Sequence, residues 1–179
     1  WRSLPAVRNE FDDDQRWPLD AQLVGDLERI AQQLQADGWK RQDQAGWEQA
    51  LHMLDTDSSA DQVPVLPATL DTRVESLLML KPAGQDNQMY ALRLWRSDVR
   101  LQPGAQPLWL GTAQTLQFQR HWHLVGLWRP VPGPVPAIRA VEAALQVWQP
   151  QVGAHPDSGL PVLRAQLPAS QTPVAPATQ

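Results

Sequence analysis

The amino-acid sequence predicts an α+β domain, a mostly antiparallel sheet of about five strands with about three helices packed on one face. Three observations carry this. Apolar residues recur at helical spacing early in the chain, the period changes to two through the middle, and a further helical stripe follows a proline-rich stretch.

Residues 1–19 mix charge, proline and single aromatics without a period and read as an irregular arm or linker. Asp20 is placed as a helix N-cap, because Leu23, Val24, Leu27, Ile30, Ala31 and Leu34 follow at spacings of one, three and four. Gly38 supplies a left-handed stop, which sets this helix over roughly 21–37. Trp39–Gln42 reads as a short strand, and Trp47, Ala50, Leu51 and Leu54 share one side of a second helix over about 44–54. Turn formers dominate 55–72, an exposed or draped loop. Alternation then marks strands over Val74–Leu80, Gln88–Ser97, Pro107–Ala113 and Trp122–Arg129, with turns at 82–87 and 101–106. Four prolines in 130–136 make a stiff connector. Ile138, Val141, Leu145 and Trp148 form the stripe of a third helix ended by Pro150, and Leu160–Leu167 is a last strand. The uncharged tail from 168 to 179 has no periodicity and is expected to be disordered, leaving one domain over 20–167.

The 179 residues suit one core and no second. With no cysteine, disulfides, thiolate catalysis and cysteine-bound metal are excluded. The longest strictly aliphatic run is Leu77–Leu80, too short to span a bilayer as a helix. Residues 1–64 carry a formal −7 and residues 65–179 a formal +3, with no basic tract, so nucleic acid is not an expected partner. The amino end, Trp1-Arg2-Ser3-Leu4-Pro5, has neither a methionine nor a signal-peptide apolar region, and suggests a piece of a longer chain.

Tryptophan is the compositional oddity, nine residues against two phenylalanines and one tyrosine. Alternation puts Tyr90, Leu92 and Leu94 on one side of their strand and Ala91, Arg93 and Trp95 on the other; Leu108 and Leu110 likewise oppose Trp109. If the leucines of both strands pack on the helices, Trp95 and Trp109 share the opposite face beside Arg93. They then form either a cross-strand pair covered by the arm or loop, or an exposed aromatic–arginine surface for a lipid headgroup, glycan or protein. Arg93, Trp95, Trp109 and Trp39 are the candidate binding residues on the second alternative.

Catalytic signals are thin. His121 and His123 point the same way on a strand, as two zinc ligands would, but no spacing identifies a third. His155, Asp157 and Ser158 lie too close along the chain to align as a triad and are also ordinary turn residues. Asp12–Asp14 lacks the alternating ligands of a calcium loop, and neither a P-loop nor G-x-G-x-x-G is present. No catalytic residue, resident metal or cofactor is expected.

Several stretches, in order, resemble the LssY-type carboxy-terminal domain: Trp17-Pro18-Leu19, Leu34-Gln35-Ala36-Asp37-Gly38-Trp39, Trp47, Leu66-Pro67, Leu92-Arg93-Leu94-Trp95 and Pro107-Leu108-Trp109-Leu110-Gly111-Thr112. Together they span roughly 17–113. Domains of this family are attached to bacterial membrane proteins of the DedA and phosphatidic acid phosphatase type 2 families. The family usually carries an R-H-H-like pattern before the R-L-W strand; here that stretch is Gln88-Met89-Tyr90-Ala91, so chemistry proposed for those histidines does not transfer. The resemblance implies a non-catalytic accessory domain, associated with the inner membrane on its cytoplasmic side, with any phosphatase upstream. Its implied partners are the membrane domain of the parent chain, a phospholipid headgroup or another protein; oligomeric state stays open. A hydrolase domain with an unrecognised site and an oligomerisation module are the alternatives.

Overall fold

A computed structural model describes residues 7–9, 16–43, 60, 62–85, 87–101, 105–121, 125–133 and 135–168. Strands dominate it. In chain order the elements are β1 (Val7–Asn9), β2 (Arg16–Pro18), β3 (Ala21–Val24), α1 (Leu27–Ala36), β4 (Lys40–Arg41), β5 (Thr69–Leu70), β6 (Arg73–Val74) and β7 (Leu77–Pro82). There follow β8 (Gln88–Leu101), β9 (Gln106–His121), β10 (Val125–Val131), α2 (Val135–Ala144), a 3₁₀ turn (Gln146–Trp148), β11 (Gln151–Ala154) and β12 (Pro161–Gln166). Eight strands form the main sheet in the order β11-β12-β3-β9-β8-β7-β4, with β10 also paired to β9. β12 and β3 run parallel and the other pairs antiparallel. β1 pairs with β2 within the expected arm, and β5, inside the expected loop, pairs with β6 just after it.

The expectation of about five strands and three helices is therefore overturned: the main sheet alone has eight strands, and the described residues hold two α-helices. The early helix is shorter than its pattern. Ala21–Val24 is a strand buried at every position, and its one polar residue, Gln22, gives too short an alternation to separate it from the stripe of α1. Gly25 then turns the chain with φ +137, and a Cβ there would come within 2.7 Å of Leu167 Cδ1. Asp26, not Asp20, caps α1, its Oδ1 accepting from Arg29 N at 3.0 Å. β11, with one glycine and mostly exposed residues, has no alternation to announce it. α2 begins inside the proline connector, where Pro136 sits in the first turn and needs no N–H partner. The helix expected over 44–54, with Trp47, lies outside the described residues, as do most of the 55–61 stretch, 122–124 and the tail from 169.

Both sheet faces are covered. On the first, Leu77, Met79, Leu92, Leu94 and Leu163 pack against Ile30 and Leu34 of α1 and Ile138 and Val141 of α2. On the second, residues 62–76 drape over the sheet and close two smaller clusters. One holds Leu19, Val24, Ala68, Trp95, Leu108 and Leu110; the other holds Val65, Leu78, Ala91 and Leu116, with Trp128 beside them.

Candidate functional site

The four candidate binding residues do not form one surface. β8 and β9 pair with Trp95 opposite Leu110 and Trp109 opposite Arg96. Directly opposite residues share a face, so Trp109 joins Leu92 and Leu94 on the helix side, while Leu108 and Leu110 lie with Trp95 on the other. The pairing of leucine with leucine across these strands is thus corrected by the register, which offsets the two alternations by one residue. Trp109 is anchored by its Nε1 donating to Gly25 O at 2.9 Å. Trp39 packs in the helix-side core. All four are buried: Trp39 at 2% exposure, Arg93 at 5%, Trp95 at 1% and Trp109 at 7%. Trp95 is the tryptophan that the loop covers, in the cluster with Ala68.

Arg93 is the centre of that cover. Its Nη1 donates to Glu75 Oε1 at 2.8 Å and its Nη2 to Leu66 O at 2.9 Å. The other carboxylate oxygen of Glu75 accepts from Ala68 N at 2.6 Å, and Glu75 N returns a bond to Ala68 O. Gln42 adds a second clamp: its amide donates to Val65 O and accepts from Val65 N. The side chains of Arg93 and Glu75 are only 6% and 4% exposed. A buried pair of this kind offsets its desolvation through further hydrogen bonds, and here two backbone groups of the loop, Leu66 O and Ala68 N, supply them.

The polar residues continue across the same face. Thr112 lies directly opposite Arg93, and Gln22 pairs with Leu110, one step along β9 on that face. Gln22 in turn lies opposite Arg164, whose Nε donates to Gln22 Oε1 at 3.1 Å. Asp20 stands one residue before β3, fully buried, and its Oδ1 accepts from Ala113 N at 2.7 Å, extending the β3–β9 ladder with a side-chain oxygen. Burial holds its carboxyl well above the usual carboxylate range, against the opposing pull of the Ala113 amide. Asp20 Oδ2, Gln22 Nε2 and Thr112 Oγ1 are buried without a hydrogen-bond partner.

This band ends in two clefts. Beside Glu75 a space of about 240 Å³ is lined by Arg41, Gln42, Asp43 and Ser76 among others. Beside Arg164 a larger one of about 580 Å³ is lined by Trp148, Gln149, Gln151 and Gln166 among others. The first is a mixed-charge surface next to the loop clamp. The second carries one arginine and several carboxamides, with no acidic side chain among the described residues that line it.

His121 pairs with Val125 in the β9–β10 ladder, and His123 lies outside the described residues, as does Asp12–Asp14. Among the described residues no three His, Asp or Glu are grouped to hold a metal ion. His155 to Ser158 form the turn between β11 and β12, closed by His155 N donating to Leu160 O and Gly159 N donating to His155 O. Glu75, Gln22 and Arg164 escaped sequence reasoning. A signal was present: Gln22 between Ala21 and Leu23 and Arg164 between Leu163 and Ala165 repeat the pattern of Arg93 between two leucines. Each is a polar residue set between apolar neighbours of a strand whose other face is core.

A β-rich domain with helices over one sheet face, a clamped loop over the other and a polar band running across that second face is the class of protein defined here. The chain belongs to the LssY C-terminus family, whose model matches residues 1–121. No curated protein and no solved structure matches it. The matched stretch ends with β9, so β10, β11 and β12 complete the sheet from beyond it and α2 completes the helix layer.

Proposed function

We propose that the chain is a non-catalytic accessory domain of a bacterial membrane protein of the phospholipid phosphatase or DedA type, working by contact with the membrane domain, lipid headgroups or a partner. One observation carries this reading: the buried ion pair of Arg93 on β8 with Glu75 of the covering loop is committed to holding residues 65–75 against the second face. A guanidinium neutralised by a buried carboxylate and a loop carbonyl works as a structural clamp, and its ligands are supplied by the chain itself. Family membership supports the link to membrane proteins of this kind, and the inner membrane's cytoplasmic side is the expected location.

Co-sedimentation of the full-length parent and of this chain with vesicles containing phosphatidic acid tests the reading. Binding by the chain, without turnover of a generic phosphomonoester, is the expected outcome. Turnover by the chain that disappears in Asp20→Asn would replace the accessory reading with a hydrolase. That alternative has one observation in its favour, the raised pKa of Asp20, since perturbed carboxyls collect at active sites. The complete burial of Asp20 and its bond to Ala113 N favour the structural role.

A further inference from the structure

Arg164 is held in a way that a surface arginine rarely is. Its Nε donates to Oε1 of Gln22, a residue with no exposed surface. On the other side of the guanidinium, a Cβ placed on Gly153 would come within 3.3 Å of Nη1, so the missing side chain in β11 leaves the room that Nη1 occupies. Nε is thereby bonded toward β3, and Nη1 lies close to the backbone of β11. Ordering a long, rotamer-rich side chain costs conformational entropy, part of which the Gln22 bond has already met before any ligand arrives.

Among the described residues that line the cleft, Arg164 is the one charged group, and the other polar side chains are carboxamides. Oε1 of Gln22 is used, and its Nε2 is buried with no acceptor. The amides of Gln149 and Gln151 line the same cleft. Gln166 is already engaged, its Nε2 donating to Gln106 Oε1 at 3.2 Å. No carboxylate is among the described residues that line the space. A group with several acceptor oxygens and negative charge suits this lining, and three terminal oxygens match it better than two. Trp148, half-buried against the helix-side core, gives the cleft an apolar wall for the organic part of such a ligand.

We propose that the β11–β12 cleft binds a phosphate monoester, with Arg164 as the charge partner, Gln22 as the residue that positions it and Trp148 as the wall. The site lies beyond the family-matched residues 1–121, apart from Gln22. Its chemistry does not depend on the accessory-domain reading; only a lipid source for the phosphate would rest on that reading.

Calorimetric titration of the full 179-residue chain with inorganic phosphate and, separately, with acetate tests the site. Phosphate is expected to bind, acetate to bind at least tenfold more weakly, and Arg164→Gln to weaken phosphate by about tenfold or more, the value of a charge-assisted bond. Gly153→Ala, which leaves Arg164 in place but crowds Nη1, is expected to weaken phosphate as well while thermal melting shows a folded protein. Absence of phosphate binding to the unmodified chain, equal affinity for acetate, or unchanged binding in both variants would overturn the proposal. Vesicles of phosphatidylcholine with and without phosphatidic acid then separate the sources. Binding competed by inorganic phosphate assigns a lipid headgroup; phosphate binding without vesicle binding assigns a soluble monoester, and overturns the headgroup contact while leaving the site intact.

Discussion

Removing Glu75 is the perturbation from which the structure predicts the largest single effect. In Glu75→Ala the Arg93 guanidinium, 5% exposed, loses its counter-charge, and Ala68 N loses the oxygen it reaches at 2.6 Å. Breaking a buried ion pair from one side costs about 3–5 kcal/mol, because the charge left behind stays desolvated. For a domain of this size that corresponds to a fall in melting temperature of roughly 10 °C. Arg93→Met combined with Glu75→Gln removes both charges, and the carboxamide so introduced keeps an acceptor for Ala68 N. The double variant is expected to be more stable than Glu75→Ala by about 2 kcal/mol or more, since an apolar–neutral replacement of a buried pair is often close to neutral. Urea unfolding followed by tryptophan fluorescence reads both, with Trp95 in the covered cluster as reporter. A loss below about 1 kcal/mol for Glu75→Ala is the behaviour of a solvent-exposed pair and would refute the reasoning.

Asp20 predicts a pH dependence of opposite sense to that of most carboxylates. Its folded pKa lies above its unfolded one, so the folded state holds the proton more tightly, and stability falls as pH rises through the range between the two. Asp20→Asn keeps an oxygen for Ala113 N and is expected to flatten that limb, with urea midpoints above those of the parent at about pH 8 and convergent near pH 4; a parent midpoint that rises with pH through this range unless Asp20 is replaced would contradict it. Gly25→Ala is expected to destabilise by more than about 1 kcal/mol, since φ +137 is strained for any side chain and the new Cβ meets Leu167 at 2.7 Å. Trp95→Ala and Trp109→Ala each empty a buried site, on opposite faces, and should cost about 3–5 kcal/mol apiece in the same unfolding assay. An unchanged midpoint in either would place that tryptophan at the surface.

Much of the site was legible one strand at a time. Alternation within β8 correctly separates Arg93 and Trp95 from Leu92 and Leu94, and the stripe of Ile138, Val141 and Leu145 correctly marks a buried helix face. Between strands it fails. No local feature of Pro107–Thr112 says whether Leu108 or Trp109 lies over Leu94, and a one-residue slip exchanges the faces. The same limit hid Glu75, whose role depends on a partner 18 residues away, and Gln22, 142 residues from Arg164. β3 is masked for a different reason: four residues with one polar side chain, Gln22, are too short to set a period of two, and they run into the stripe of α1 with only Gly25 and the cap Asp26 between them.

Amide hydrogen exchange at Ala68 tests most directly whether the second face is closed by the loop that Arg93 and Glu75 hold. The N–H is buried and bonded to Glu75, so exchange slowed to the rate of the β8–β9 ladder is expected in the parent, with that protection lost in Glu75→Ala. Exchange at Ala68 as fast as in an unprotected loop, while Leu92 and Leu94 remain protected, would mean that the loop stands open and that Trp95 and Arg93 are available as a surface.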